Sequence, residues 1–103
     1  SDSDTRKVVK LLTDSAQRHG LILKKPEPEV LFKDFEENGF SFELRYWLDI
    51  RSHNTAQVAS DLRHMIAAAF AEHRITISFP QRDLHLDSGT PLRVEVTPAS
   101  KVP

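Results

Sequence analysis

Residues 36–47 read EENGFSFELRYW, and the side to which this stretch turns its aromatics decides the fold. Side chains alternate along a strand, so Phe40, Phe42, Leu44, Tyr46, Leu48 and Ile50 share one face, and Ser41, Glu43, Arg45, Trp47 and Asp49 the other. Exposing that apolar row would forfeit roughly 1.5–3 kcal/mol for each large side chain. A few such losses rival the ~5–15 kcal/mol that holds a whole domain together. The row is therefore expected to face the core. Asn38-Gly39 is a dipeptide preferred where both central turn residues take positive φ, so residues 30–36 and 40–50 are expected to pair as an antiparallel hairpin.

A competing reading sets this stretch against the octamer with which RNA-recognition domains present aromatics to bases. It requires Phe40 and Phe42 on an exposed face. The chemistry also departs from the octamer: Asn38 replaces its leading basic residue, Glu43 stands where an apolar residue belongs, and Arg45 replaces its last aromatic. The net charge of -1 and pI near 6.5 lack the basic footprint of a nucleic-acid binder, and no nucleic-acid partner is expected.

Outward from the hairpin, Val8, Leu11, Leu12 and Ala16 recur at helical spacing, with Asp4 as the expected N-cap and Gly20 as the expected C′ residue. Pro26 and Pro28 make the next segment an extended linker. Asn54, with Gln57 three residues on, opens a second helix in a near capping box. Val58, Leu62, Met65, Ile66, Ala69 and Phe70 form its apolar stripe, and it ends near His73. After ITISFP, the runs RDLHLD and LRVEV are joined by SGTP and suggest a further hairpin.

The order helix, strand, strand, helix, strand is that of an α+β, ferredoxin-like two-layer sandwich, two helices on an antiparallel sheet, without the strand that should precede helix one. That strand would lie centrally, so its place needs another occupant, and LRVEV is the candidate, expected as a strand either within its own sheet or against a neighbouring molecule. At 103 residues the chain suits one compact domain. The expected division is residues 1–80 as the α/β unit, 81–97 as a C-terminal strand or hairpin, and 98–103 as a frayed tail. The longest apolar run, MIAAAFA at 65–71, is far short of the ~20 residues of a spanning helix. The opening SDSD reads as the start of an excised piece of a larger protein. With no cysteine, disulfides and thiolate chemistry are excluded.

Three segments together, LKKPEPEV (23–30), FELRYW (42–47) and SDLRHMIAAAFAEHRITISFPQRDLHL (60–86), resemble the cytoplasmic C-terminal region of the small-conductance mechanosensitive channel family. The most specific parts are Phe-x-Leu-Arg-x-Trp and Phe79-Pro80-Gln81-Arg82-Asp83. The resemblance implies a non-enzymatic homoheptameric channel of the bacterial inner membrane that opens under tension to release ions and small solutes during hypoosmotic shock. This part would form the cytosolic cage below the pore, and the strand from about Gln81, including Asp83 to Leu86, would join a shared β-barrel. Identical subunits are the implied partners, and the membrane would be reached through segments absent here. The alternative is a ferredoxin-like regulatory or small-molecule-binding module, because fold does not fix function.

No residues group into a catalytic or cofactor site. Gly20, Gly39 and Gly89 suit helix ends and turns rather than a phosphate cradle. Asp34, Glu36 and Glu37 read as solvated carboxylates beside a turn, and Ser52, His53 and Ser60 lack the glycines of a nucleophile elbow. Asp83, His85 and Asp87 alternate onto one strand face and offer oxygen and imidazole donors, but strand spacing seldom converges three ligands, so no metal is expected. His19, His64 and His73 read as helix-surface or helix-end residues, with His19 and His73 favouring the negative helix termini. The candidate subunit contacts are Arg45 and Trp47, types enriched in interface hot spots, with Gln81, Asp83 and His85 added by the resemblance.

Overall fold

The computed structural model describes residues 5–36, 39–49, 51, 54–80 and 92–97, with 34–36 described through their backbone. Two helices, α1 (Thr5–Arg18) and α2 (Thr55–Glu72), pack on a four-stranded antiparallel sheet of β1 (Glu29–Glu36), β2 (Gly39–Arg45), β3 (Thr76–Ser78) and β4 (Leu92–Thr97). This is the expected α+β sandwich. No described helix is long and apolar enough to cross a membrane.

The core lies between the layers. Val8, Leu12 and Ala16 of α1 and Val58, Leu62, Ile66 and Phe70 of α2 meet Phe42, Leu44, Leu92, Val94 and Val96 of the sheet, all buried. Phe42 is fully buried and Phe40 half-buried, so the face assignment of β2 stands. The strand is shorter than 40–50, however. Regular pairing stops at Arg45, and beyond it Leu48 makes one isolated bridge to Ile22. Tyr46 and Leu48 still pack against the core, while Ile50 lies outside the described residues.

The hairpin register corrects the turn. Glu36 pairs with Gly39, so Gly39, at φ 155°, opens β2 rather than standing at the centre of the turn. A bulge interrupts β1 between Phe32 and Asp34. Phe32 and Phe35 are three residues apart, a spacing that a regular strand sends to opposite faces. The bulge absorbs one residue, so their register positions oppose Phe42 and Phe40. The Phe32 ring stacks on Phe42 at 5.0 Å and meets Phe40 edge-on at 5.8 Å.

The helix ends also differ from expectation. Gly20 is not in a positive-φ conformation, and α1 closes through His19 N–H to the Ala16 carbonyl (3.2 Å) and Ile22 N–H to the His19 carbonyl (3.3 Å). Lys24 Nζ donates to the Gln17 carbonyl at 2.9 Å in its last turn. Asp4 lies outside the described residues. At the start of α2 no side-chain cap bond forms at Asn54. Gln57 donates forward to Asp61 at 2.9 Å instead of back, so the capping box is absent. The far end of α2 carries a Schellman arrangement. There Ile75 N–H reaches the Phe70 carbonyl (2.9 Å) and Arg74 N–H the Ala71 carbonyl (3.0 Å), with Arg74 at φ 58°.

β4 completes the sheet. The strand order β1-β2-β4-β3 puts the last strand between β2 and β3, antiparallel to both. In a split βαβ sandwich that is the place and direction of the strand preceding helix one. Leu92, Val94 and Val96 point into the core while Arg93, Glu95 and Thr97 are exposed. The expected pairing of this strand with RDLHLD falls on residues outside the described set; the partners seen are β2 and β3.

Candidate interaction surface

Among the described residues, the helices cover one face of the sheet and no helix or strand packs on the other. At the centre of the open face stands Glu43, opposite Leu31 of β1 and Arg93 of β4, and only 5% exposed. A carboxylate so covered needs partners for both oxygens. Arg45 Nε donates to Oε2 at 3.1 Å, and Lys33 Nζ, at the bulge, lies 3.5 Å from Oε1. Arg45 Nη1 also lies 3.9 Å from Glu29. Burial pushes the Glu43 carboxyl up, but the Arg45 hydrogen bond, the charges of Lys33 and Arg45 and the Lys33 contact outweigh it, so its pKa is lowered. Arg45 and Lys33 keep about half of their side-chain surface in solvent, at 43% and 49% exposure. The open face is thus a cross-strand charge network, fixed at its centre and exposed at its rim.

Trp47 lies just past the end of β2. Its carbonyl accepts from Leu23 N–H at 2.9 Å, beside the Ile22–Leu48 bridge, which ties the segment after α1 to the continuation of β2. Ile22 is buried in the core, while Trp47 (37% exposed) and Leu21 (53%) present apolar surface. Tyr46 packs inward, and burial raises its hydroxyl pKa against the opposing charge of Arg63.

A second polar constellation joins the helices. His19 Nε2 meets Asp61 Oδ2 at 2.8 Å, and the Leu21 N–H donates to His19 Nδ1 at 3.1 Å. With Nδ1 accepting, the neutral ring carries its proton on Nε2 and donates it to Asp61. Hydrogen bonds from Gln57 and then His19 hold the Asp61 carboxyl below its ordinary value. His19 stands at the end of α1, as its helix-end reading had it, but its side chain is only 10% exposed and not on the open surface. His73 remains a helix-end residue, with Nδ1 2.9 Å from the Ala69 carbonyl, and His64 is exposed.

Of the sequence-derived contacts, the structure brings Arg45 and Trp47 to the end of β2. Gln81, Asp83 and His85, with Asp87 of the metal trio, lie outside the described residues, as do the side chains of Asp34, Glu36 and Glu37. Among the described residues no three His, Asp or Glu side chains form a metal-binding group. Sequence reasoning missed Glu43 as a buried group. The signal was the odd Phe32–Phe35 spacing, which marks the bulge beside Lys33. It also missed the His19–Asp61 pair, which spans 42 positions and leaves no local pattern.

Residues 1–77 match the family described as "Mechanosensitive ion channel MscS, C-terminal". The chain is 28% identical over 88 residues to the miniconductance mechanosensitive channel MscM of Escherichia coli, covering 85% of this chain and 8% of that protein. It is 32% identical over 84 residues to an uncharacterized MscS family protein of Haemophilus influenzae, covering 82% of this chain and 8% of the relative. No solved structure matches the chain. A match across both helices and the β1–β2 hairpin leads to one conclusion: the chain belongs to the MscS mechanosensitive ion channel family, in the region of its C-terminal domain.

Proposed function

We propose that this chain is a cytoplasmic domain of a homo-oligomeric mechanosensitive channel of the bacterial inner membrane. The whole protein releases ions and small solutes when membrane tension rises in hypoosmotic shock, and this part forms the cytosolic cage below the pore. Seven identical subunits surround the pore, and the domain itself is non-enzymatic. The observation that carries the reading is the family match over residues 1–77. The relative named a mechanosensitive channel is a far longer protein, of which this chain corresponds to 8%. Residues 1–80 act as the α/β unit, 81–97 as the C-terminal strand or hairpin and 98–103 as a tail; the barrel-forming strand begins near Gln81, while Leu92–Thr97 is the β4 seated in the sheet of the α/β unit itself. Arg45 and Trp47, with Gln81, Asp83 and His85, make the subunit contacts; the half-exposed guanidinium and indole supply a cation and an apolar anchor for a neighbour.

The test is electrical. Expressed with the rest of its polypeptide in cells lacking other tension-gated channels, the protein should give tension-activated currents in excised patches and restore survival of hypoosmotic downshock. Patches that stay silent up to membrane rupture would sink the reading. A tight symmetric dimer holding a small molecule would favour the regulatory-module alternative.

A further inference from the structure

His19 sits where three pieces of the chain meet, and its two ring nitrogens serve different ones. Nε2 reaches Asp61 Oδ2 of α2 at 2.8 Å, and Nδ1 accepts from Leu21 N–H at 3.1 Å in the segment after α1. Gln57 donates to the other Asp61 oxygen, Oδ1, at 2.9 Å. With its side chain only 10% exposed and Asp61 fixed in this way, the ring keeps its orientation. Main-chain pairing continues the path beyond Leu21. Ile22 bridges to Leu48, and Leu23 N–H donates to the carbonyl of Trp47, the one Trp of the chain. Nδ1 therefore helps to fix the segment to which the end of β2 is tied.

The two partners differ in what they ask of the ring. Leu21 N–H needs a lone pair, which only the neutral ring has; the carboxylate needs an N–H, which the neutral and the charged ring both have. A proton added at Nδ1 sets donor against donor on the Leu21 side. On the other side it keeps the Asp61 bond and adds a full charge to it. Asp61 is suited to meet that charge, because hydrogen bonds from Gln57 and His19 hold its carboxyl below the ordinary value. The groups of α2 that bear on the ring are Asp61 and, through Asp61, His64. On its own side stand Arg18, next to it in α1, and Lys24, whose ammonium is taken by the Gln17 carbonyl. We propose that His19 is a one-sided proton latch: the neutral ring holds the 20–23 segment, and with it the end of β2 at Trp47, while protonation releases that segment and tightens the contact between the helices. The part released carries the apolar surface of Leu21 and Trp47, so acid turns a fixed patch into a loose one. Imidazole is the side-chain type that changes charge between about pH 5 and 8, which makes this a response within the cellular range. The proposal rests on these hydrogen bonds and not on the channel reading.

The 103-residue chain tests this by NMR and by the fluorescence of Trp47. At about pH 8, long-range proton–nitrogen spectra of the His19 ring should show Nδ1 as the nitrogen with the lone pair. Between about pH 8 and about pH 5, the Leu21 amide, corrected for its intrinsic exchange, should exchange about fivefold faster or more, as expected for one lost hydrogen bond. Trp47 emission should shift with the same midpoint as the His19 ring, and the Leu62 amide should keep its protection. His19→Asn supplies an oxygen that accepts from Leu21 N–H and takes up no proton, so both responses should vanish. Replacing His53, His64, His73 and His85 together by Gln should leave both in place. A proton on Nδ1 of the neutral ring, Leu21 exchange indifferent to pH, or a response that survives His19→Asn would overturn the proposal. None of these results bears on whether the full protein conducts.

Discussion

Arg74 shows how a single backbone torsion costs stability at this chain's helix ends. It occupies the left-handed C′ position of α2, where Ile75 and Phe70 close the motif, but its Cβ is penalised at φ 58°. Arg74→Gly should therefore stabilise the domain by about 0.5–1 kcal/mol, the left-handed relief less the greater freedom of an unfolded glycine, as read by urea denaturation. Glu43 works in the opposite sense. Its carboxyl pKa is lowered in the folded chain, so its contribution is complete above the ordinary glutamate value of about 4.5 and is lost as pH falls through the lower folded value. Glu43→Gln should cost about 1–2 kcal/mol at neutral pH. It should also flatten the stability profile below pH 4.5, which denaturation at several pH values measures; an unchanged slope there would separate Glu43 from the acid sensitivity. Asp61, lowered by Gln57 and His19, acts in the same direction. A double-mutant cycle of His19→Ala and Asp61→Ala should return a favourable coupling, since the two side chains meet at 2.8 Å.

Among the elements, β4 carries the most consequence. Val94 is fully buried between β2 and β3, so Val94→Ala should cost about 2 kcal/mol in the 103-residue chain, with amides of β2 losing protection along with those of β4. Much of this level was legible in the sequence. The helix stripes at Val8–Leu12–Ala16 and Val58–Leu62–Ile66–Phe70 marked both helices, because burial on one face writes a 3.6-residue period. The alternation of Leu92, Val94 and Val96 likewise marked a strand, and a gap in a familiar topology gave it somewhere to go. The end of β2 was not legible. The alternation from Phe40 to Ile50 continues past Arg45, where the chain stops pairing with β1 and turns to meet Ile22. Apolar alternation records which side is buried and not which strand supplies the hydrogen bonds. The hairpin turn failed for a related reason. The Asn-Gly signal was local, while the bulge at Lys33 and the Glu36–Gly39 pair set the register. The caps of both helices were overridden too, since Gln57 finds a better partner in Asp61 and Gly20 needs no positive φ.

For the molecule as a whole, the open sheet face and the end of β2 are what the domain has left to offer after its core is satisfied. Of the candidate site, Arg45 and Trp47 were legible as types out of place on a polar strand face; Glu43 was hidden by its own charge, which reads as solvated until its cationic neighbours are located in space. Separated from the rest of its polypeptide, the domain loses the tethering that concentrates its neighbours, so sedimentation should find it monomeric or weakly associated at micromolar concentration. The most direct test of the account is made in the membrane with the full-length protein, carrying a photo-crosslinking residue in place of Trp47 and, as control, in place of the exposed Ala67 on α2. Illumination should yield a ladder of crosslinked subunits ending at seven from position 47 and little from position 67. Only monomer from position 47, in a protein that still gives tension-activated currents, would contradict the claim that this end of the sheet faces a neighbouring subunit.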